Sequence, residues 1–323
     1  MRLGLRWSPL FGAAVATAAL GAAAACGSRT GLDVDLLASE EDASVDGFTR
    51  KDATTDRPAD VVLPPIDAQP LPDVFRNDCP DADVTLIYVI ANTNDLYSFN
   101  PPTGAFTRIG RIACPAPAGA SPFSMAVDRK GVAYVVFQDV NGGRGNGALF
   151  RVSTSTAACI ATPYRPGQGG IDTFGMGFAS NTNGAAETLF VASDNNVPTL
   201  GAIAIPNFNL SLIGSFNPPL IRAELTGTGD GRLFGFYQKP TGSAIAQIDK
   251  SNGNVIAESP LPTVDQGTHW AFGFWGGDFY TFTGPGGVTQ VTRFRPSDGS
   301  VVVVGQLADE IVGAGVSTCA PSQ

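Results

Sequence analysis

The side chains best suited to chemistry in this chain are five carboxylates and a single histidine. Asp172, Glu224, Asp265, Asp309 and Glu310 each stand at or just ahead of a short apolar segment, and His269 directly precedes Trp270. Two carboxyl groups ~5–9 Å apart can serve as acid and base on a glycosidic bond. Several together can gather a cation or a sugar, and a lone histidine can act as a general base. The competing reading is that the acids are solvated loop residues with no common target and that His269 is a partly buried hydrogen-bonder. The residue types favour that second reading, because no serine or cysteine nucleophile signature accompanies His269. Glu224 stands out from the other acids, since comparable segments carry Phe123, Phe174 and Trp270 at what reads as the same place. Two glycine-rich stretches, "DVNGGRGNG" from Asp139 and "TGTGDG" from Thr226, lack the P-loop lysine and a full calcium-loop pattern, so they read as a loop and a turn. No motif for a cofactor or a metal is present.

Those residues are positioned by a repeat. Five short strands, "IYVI", "AYVV", "LFVA", "LFGF" and "FYTF", carry an aromatic at their second position: Tyr88, Tyr134, Phe190, Phe234 and Tyr280. The intervals between these rings are 46, 56, 44 and 46 residues, a period expected of propeller blades. Each strand is followed by an apolar strand and a hairpin turn such as Thr103-Gly104, Asn252-Gly253 or Asp298-Gly299. Four are preceded by another strand, beginning at Phe123, Phe174, Glu224 and Trp270, whose fourth position is small (Ala126, Gly177, Gly227 and Gly273). The dense run "WAFGFWGGDFYTF" from Trp270 is one copy of this unit. Small residues would face a crowded central axis while the rings pass between blades.

The first copy lacks its preceding strand, and an orphan, "IVGAGVSTC", stands at the far end (Ile311–Cys319) with Ala314 or Gly315 at the small position. A circular array resolves both facts if the last strand completes the first blade. The expected fold is therefore all-β, a five-bladed β-propeller over residues 83–323 closed by its C-terminal strand. The acids and His269 would surround one mouth of the axial channel.

The remaining 82 residues read differently. Arg2 and Arg6 precede an apolar run from Leu10 to Ala25, too short to span a bilayer, which reads as an export signal over residues 1–25. Residues 26–82 are acidic and proline-rich. Between Gly27 and Asp78, twelve acids and five bases give −7 of the chain's total charge of −9. Such a composition suits a disordered tether with a reach of roughly 40 Å. The overall acidity disfavours nucleic acid as a partner.

"AAAAC" followed by "GS" resembles the lipobox of bacterial lipoproteins, which implies lipidation of Cys26 and, with no aspartate following the cysteine, an outer-membrane address. The membrane would then be reached only through that lipid. The remaining cysteines, Cys79, Cys114, Cys159 and Cys319, suffice for two disulfides in an oxidising compartment. The repeat phase puts Cys79 and Cys319 at the same turn of the first blade, and Cys114–Cys159 follows by elimination. The chain as a whole resembles secreted bacterial propeller lipoproteins, which implies a fold and an address but no activity. The function expected from these features is a monomeric binding or interaction module for a protein or glycan. The alternative is a carbohydrate-active hydrolase or lyase working through carboxylates at the channel mouth.

Overall fold

The structure is a computed structural model, and it describes residues 63–67, 79, 86–139, 147–181 and 185–323. The segment read as an export signal, Cys26, most of the acidic segment and the centre of the glycine-rich loop after Asp139 lie outside the described residues.

Five four-stranded antiparallel sheets follow one another along the chain. The first contains β1 (Ile87–Ala91), β2 (Asp95–Asn100) and β3 (Ala105–Arg111). The second runs from β4 (Ala120–Val127) through β5 (Val132–Asp139) and β6 (Ala148–Ser153) to β7 (Cys159–Ala161). The third comprises β8 (Phe174–Ser180), β9 (Glu187–Ser193), β10 (Thr199–Ala204) and β11 (Asn209–Ser215). The fourth holds β12 (Glu224–Gly227), β13 (Leu233–Gln238), β14 (Ser243–Ile248) and β15 (Val255–Leu261). The fifth holds β16 (Trp270–Trp275), β17 (Asp278–Thr283), β18 (Thr289–Arg295) and β19 (Ser300–Leu307). The last strand, β20 (Ile311–Val316), pairs antiparallel with β1 and supplies the missing fourth strand of the first sheet. The protein is a five-bladed β-propeller closed by its C-terminal strand.

Period-2 alternation explains how the blades pack. The repeated rings pass between neighbouring sheets, as in the edge-on pairs Phe99–Phe282 (centroids 5.4 Å apart) and Phe234–Phe279 (4.9 Å), and in the tilted pair Tyr134–Phe178 (5.3 Å). One apolar cluster fills each of the five junctions between adjacent blades. The innermost strands β4, β8, β12, β16 and β20 close around the axis. There the small residues are needed for backbone approach, because a Cβ at Gly175 would lie 2.1 Å from the Ala223 carbonyl oxygen and one at Gly313 would lie 2.6 Å from the Met125 nitrogen.

The register corrects the sequence alignment in the fourth blade. The aromatic second position opposes Ala126, Gly177, Gly273 and Gly315 in four blades. In the fourth, Phe234 opposes Thr226, and Gly227 opposes Leu233. This innermost strand is therefore offset by one residue from the spacing that its sequence suggests, and a one-residue offset exchanges the two faces of a strand.

Two disulfides join Cys79 to Cys319, as the repeat phase predicts, and Cys114 to Cys159, the pairing left by elimination. They point to an oxidising, extracytoplasmic compartment. No helix among the described residues is long and apolar enough to cross a membrane. Within the segment read as a tether, Leu63–Asp67 lie against the fourth blade instead of running free. Ile66 is buried there, its N–H donates to Ser259 Oγ, the Pro64 carbonyl accepts from Glu258 N–H, and the Asp67 carbonyl accepts from Arg232. The apolar pair Leu63 and Ile66, set among the prolines, is what the acidic composition concealed.

Candidate functional site

Glu224 is the first residue of β12 and opposes Phe236. The residues at the same register in the other blades are Ser124, Gly175, Ala271 and Gly313. The sequence-based equivalence of Glu224 with Phe123, Phe174 and Trp270 is thus corrected. Glu224 is the one large side chain in a ring of small ones, on the strands that line the axis. Ser124, two blades away, donates to Glu224 Oε2 at 2.6 Å, so the carboxyl group reaches across the channel. The Met176 N–H donates to Ser124 Oγ and also acts on the carboxyl group. Burial, reinforced by the charge of Asp194 and opposed by the Ser124 and Met176 hydrogen bonds, holds the Glu224 carboxyl well above the usual carboxylate range.

Above it opens a cavity of about 130 Å³, lined by residues that include Phe123, Gln138, Arg222, Thr268, His269 and Trp270, with Glu224 among its walls. The Arg222 guanidinium lies 4.1 Å from the centre of a Trp270 ring, whose Nε1–H donates to the Arg222 carbonyl. Arg222 itself has a left-handed backbone (φ 54°), a conformation that side chains other than glycine seldom adopt. His269 is buried, with Nδ1 3.1 Å from Thr268 Oγ1 and 3.9 Å from a Glu310 oxygen. Its Nε2 has no hydrogen-bond partner among the described residues, and burial lowers its pKa, so the neutral ring is favoured.

Of the sequence-predicted residues, Glu224, His269 and Trp270 meet in this cavity, and Glu310 joins through His269. The others are engaged elsewhere. Asp309 accepts from the Tyr97 hydroxyl at the junction with blade one. Asp265 is exposed and accepts the Gly267 N–H within its own turn. Asp172 lies half-buried beside Gly147, where its charge helps to raise the Tyr164 pKa above its ordinary value after the larger effect of burial. Among the described residues no three His, Cys, Asp or Glu side chains lie close enough together to share a metal ion. Sequence reasoning missed Phe123, Gln138, Arg222 and Thr268 as lining residues, because they converge from four separate connections or strands.

The opposite face of the propeller carries a second acid that matters. Glu187 accepts the Arg129 N–H at 2.7 Å and the Thr318 hydroxyl at 2.9 Å, and burial raises its pKa from 4.5 to about 7 despite both bonds. A raised carboxyl pKa means that the folded chain holds this proton more tightly than the unfolded chain. The associated stability is full below pH 4.5 and is lost as the pH rises towards 7. Allowing for partial solvent access, Glu187→Gln should remove roughly 2 kcal/mol of pH-dependence over that window. Urea denaturation of both proteins across the window checks this, and parallel stability curves would contradict it.

No family model matches the sequence, and no curated protein sequence matches it. Solved structures with a similar chain course include a chain of a nidogen–laminin complex, 11% identical, with a TM-score of 0.49, covering 73% of this chain and 99% of that one. Another is the calcium-binding protein regucalcin from Agrobacterium tumefaciens strain C58, 12% identical, with a TM-score of 0.38, covering 71% and 74%.

Proposed function

We propose that this protein is a binding module, tethered to the cell envelope through Cys26, whose channel mouth receives a small polar ligand of the size of a sugar ring. The observation that carries this reading is Glu224: a buried carboxyl group with no basic residue among its hydrogen-bond partners in the described residues, lying at the cavity where the other blades have serine, alanine or glycine. Ser124 and the Met176 N–H hydrogen-bond the carboxyl group without supplying a charge, and a polar ligand at the cavity would offset more of the cost of burying it. The Phe123 and Trp270 rings, the Gln138 amide and the Thr268 hydroxyl supply the mixed apolar and polar lining that a sugar requires. A volume of about 130 Å³ is well below that of a site for a larger ligand. The hydrolase alternative is supported less, since among the described residues no second carboxylate lines the cavity with Glu224.

The test is a calorimetric screen of mono- and disaccharides and divalent cations on the chain from Cys26 onward, with hydrolysis products assayed in the same samples. Glu224→Gln should weaken binding of the best ligand by about tenfold, with little change in unfolding midpoint. Equal binding by the variant would leave Glu224 a packing residue of the channel. The anchor has its own test. Cys26→Ser should move the protein from membrane to soluble fractions, and unchanged fractionation would remove the lipid from this account.

A further inference from the structure

Between blades two and three, on the face opposite the channel mouth, lies a larger cavity of about 430 Å³. That volume falls within the range of sites for small organic ligands. Its apolar wall is formed by Tyr134 of β5, Phe178 of β8 and Phe208 of the turn between β10 and β11. The Tyr134 ring stands 5.3 Å from Phe178 and 6.3 Å from Phe208, centre to centre. Phe208 is held with a left-handed backbone (φ 58°), an uncommon state for a bulky residue, and its N–H is bonded to the Ala204 carbonyl. Ile205, 41% exposed, extends the apolar surface to the rim.

The charged lining sorts into committed and uncommitted groups. Asp128 Oδ1 accepts the N–H groups of Lys130 and Val132, and its carboxyl group lies beside the Tyr134 hydroxyl. Both oxygens of Glu187 are taken by Arg129 N–H and Thr318, and the Arg129 guanidinium donates to Ser180 and Thr318. Lys130 and Arg151 differ. Both are exposed at the cavity, and neither forms an ion pair among the described residues. Arg151 lies with its guanidinium 5.9 Å from the Tyr134 ring centre, a placement that orients it at the aromatic wall. Both cations lie near enough to Asp128 for their charge to act on its carboxyl group, but among the described residues no side-chain hydrogen bond or ion pair holds either of them, so their N–H groups remain available to a ligand.

We propose that this cavity is a second binding site, for a small organic anion whose ring or apolar body rests on Tyr134, Phe178 and Phe208 and whose carboxylate, phosphate or sulfate is held by Lys130 and Arg151. The site shares no residue with the channel mouth, so it stands or falls independently of the proposed function. A guanidinium and an ammonium beside an aromatic surface match an anionic head and a flat body at once.

Isothermal titration of the full chain with phenyl phosphate, inorganic phosphate and benzylamine tests the assignment. Phenyl phosphate should bind, inorganic phosphate should bind about tenfold more weakly, and benzylamine should give no heat of binding. The double variant Lys130→Gln/Arg151→Gln alters two exposed side chains, so its unfolding midpoint should be unchanged, while phenyl phosphate affinity should fall by about tenfold or more. Glu224→Gln should bind phenyl phosphate as the wild type does. Equal or tighter binding of benzylamine would overturn the anionic class. Undiminished binding by the double variant, or no saturation by phenyl phosphate at millimolar concentration, would overturn the site.

Discussion

A chain ending at Glu310 will not melt as one cooperative unit at the full-length temperature. The deletion removes β20, which pairs with β1 on its axial side, and opens the first blade. Ile311, Ala314 and Val316 leave a cluster in which they are 0%, 3% and 4% exposed, and side chains of the Ile311 and Val316 type contribute about 1.5–3 kcal/mol each when buried. The Cys79–Cys319 bond is lost too. It closes 240 residues, for which the chain-entropy model gives roughly 5 kcal/mol as an upper figure. The combined loss is comparable with the whole stability of an ordinary domain, about 5–15 kcal/mol. Replacing only Cys79 and Cys319 by serine separates the contributions, since that variant keeps the strand. Scanning calorimetry of the truncated, double-serine and full-length proteins decides the matter. A truncated protein with an unchanged cooperative transition would mean that closure by β20 contributes nothing.

Gly175→Ala should destabilise the protein by about 3 kcal/mol, near the upper end of what an added methyl group does in a packed interior. The new Cβ would lie 2.1 Å from the Ala223 carbonyl oxygen and 2.8 Å from the Glu224 Cα. Both are backbone atoms, so no side-chain rotation can relieve the contact, and β8 and β12 must separate. The same shift moves Glu224, so the variant should also lose whatever binds at the channel mouth. Gly286→Ala is the matched control, because a Cβ there meets nothing within 4 Å and should change stability by no more than about 0.5 kcal/mol. Urea denaturation of the pair reads the difference. Equal midpoints would show that the inner strands are not in the close contact described.

What the sequence by itself determined is the part of this protein that repeats. The in-phase rings of Tyr88, Tyr134, Phe190, Phe234 and Tyr280 defined five blades, and the orphan strand at Ile311 defined their closure. That closure in turn paired Cys79 with Cys319. These inferences succeed because alternation along a strand and spacing between strands are local properties, written in consecutive residues. Tertiary structure decided the rest. The offset of β12 by one residue, which turns Glu224 towards Ser124 in the channel, is set by pairing with β13 and is invisible in "ELTGT" alone. The docking of Ile66 depends on an apolar surface that only the assembled fourth and fifth blades present. The five acids divided for the same reason. Asp265 and Asp309 satisfy partners of their own, while Glu224 is alone in the ring of small residues around the axis. The cavity between blades two and three draws on a β4–β5 turn, β6, β9 and a β10–β11 turn. No period in the sequence links those segments; only the packing of one blade against the next brings Lys130, Arg151 and Phe208 around a common space.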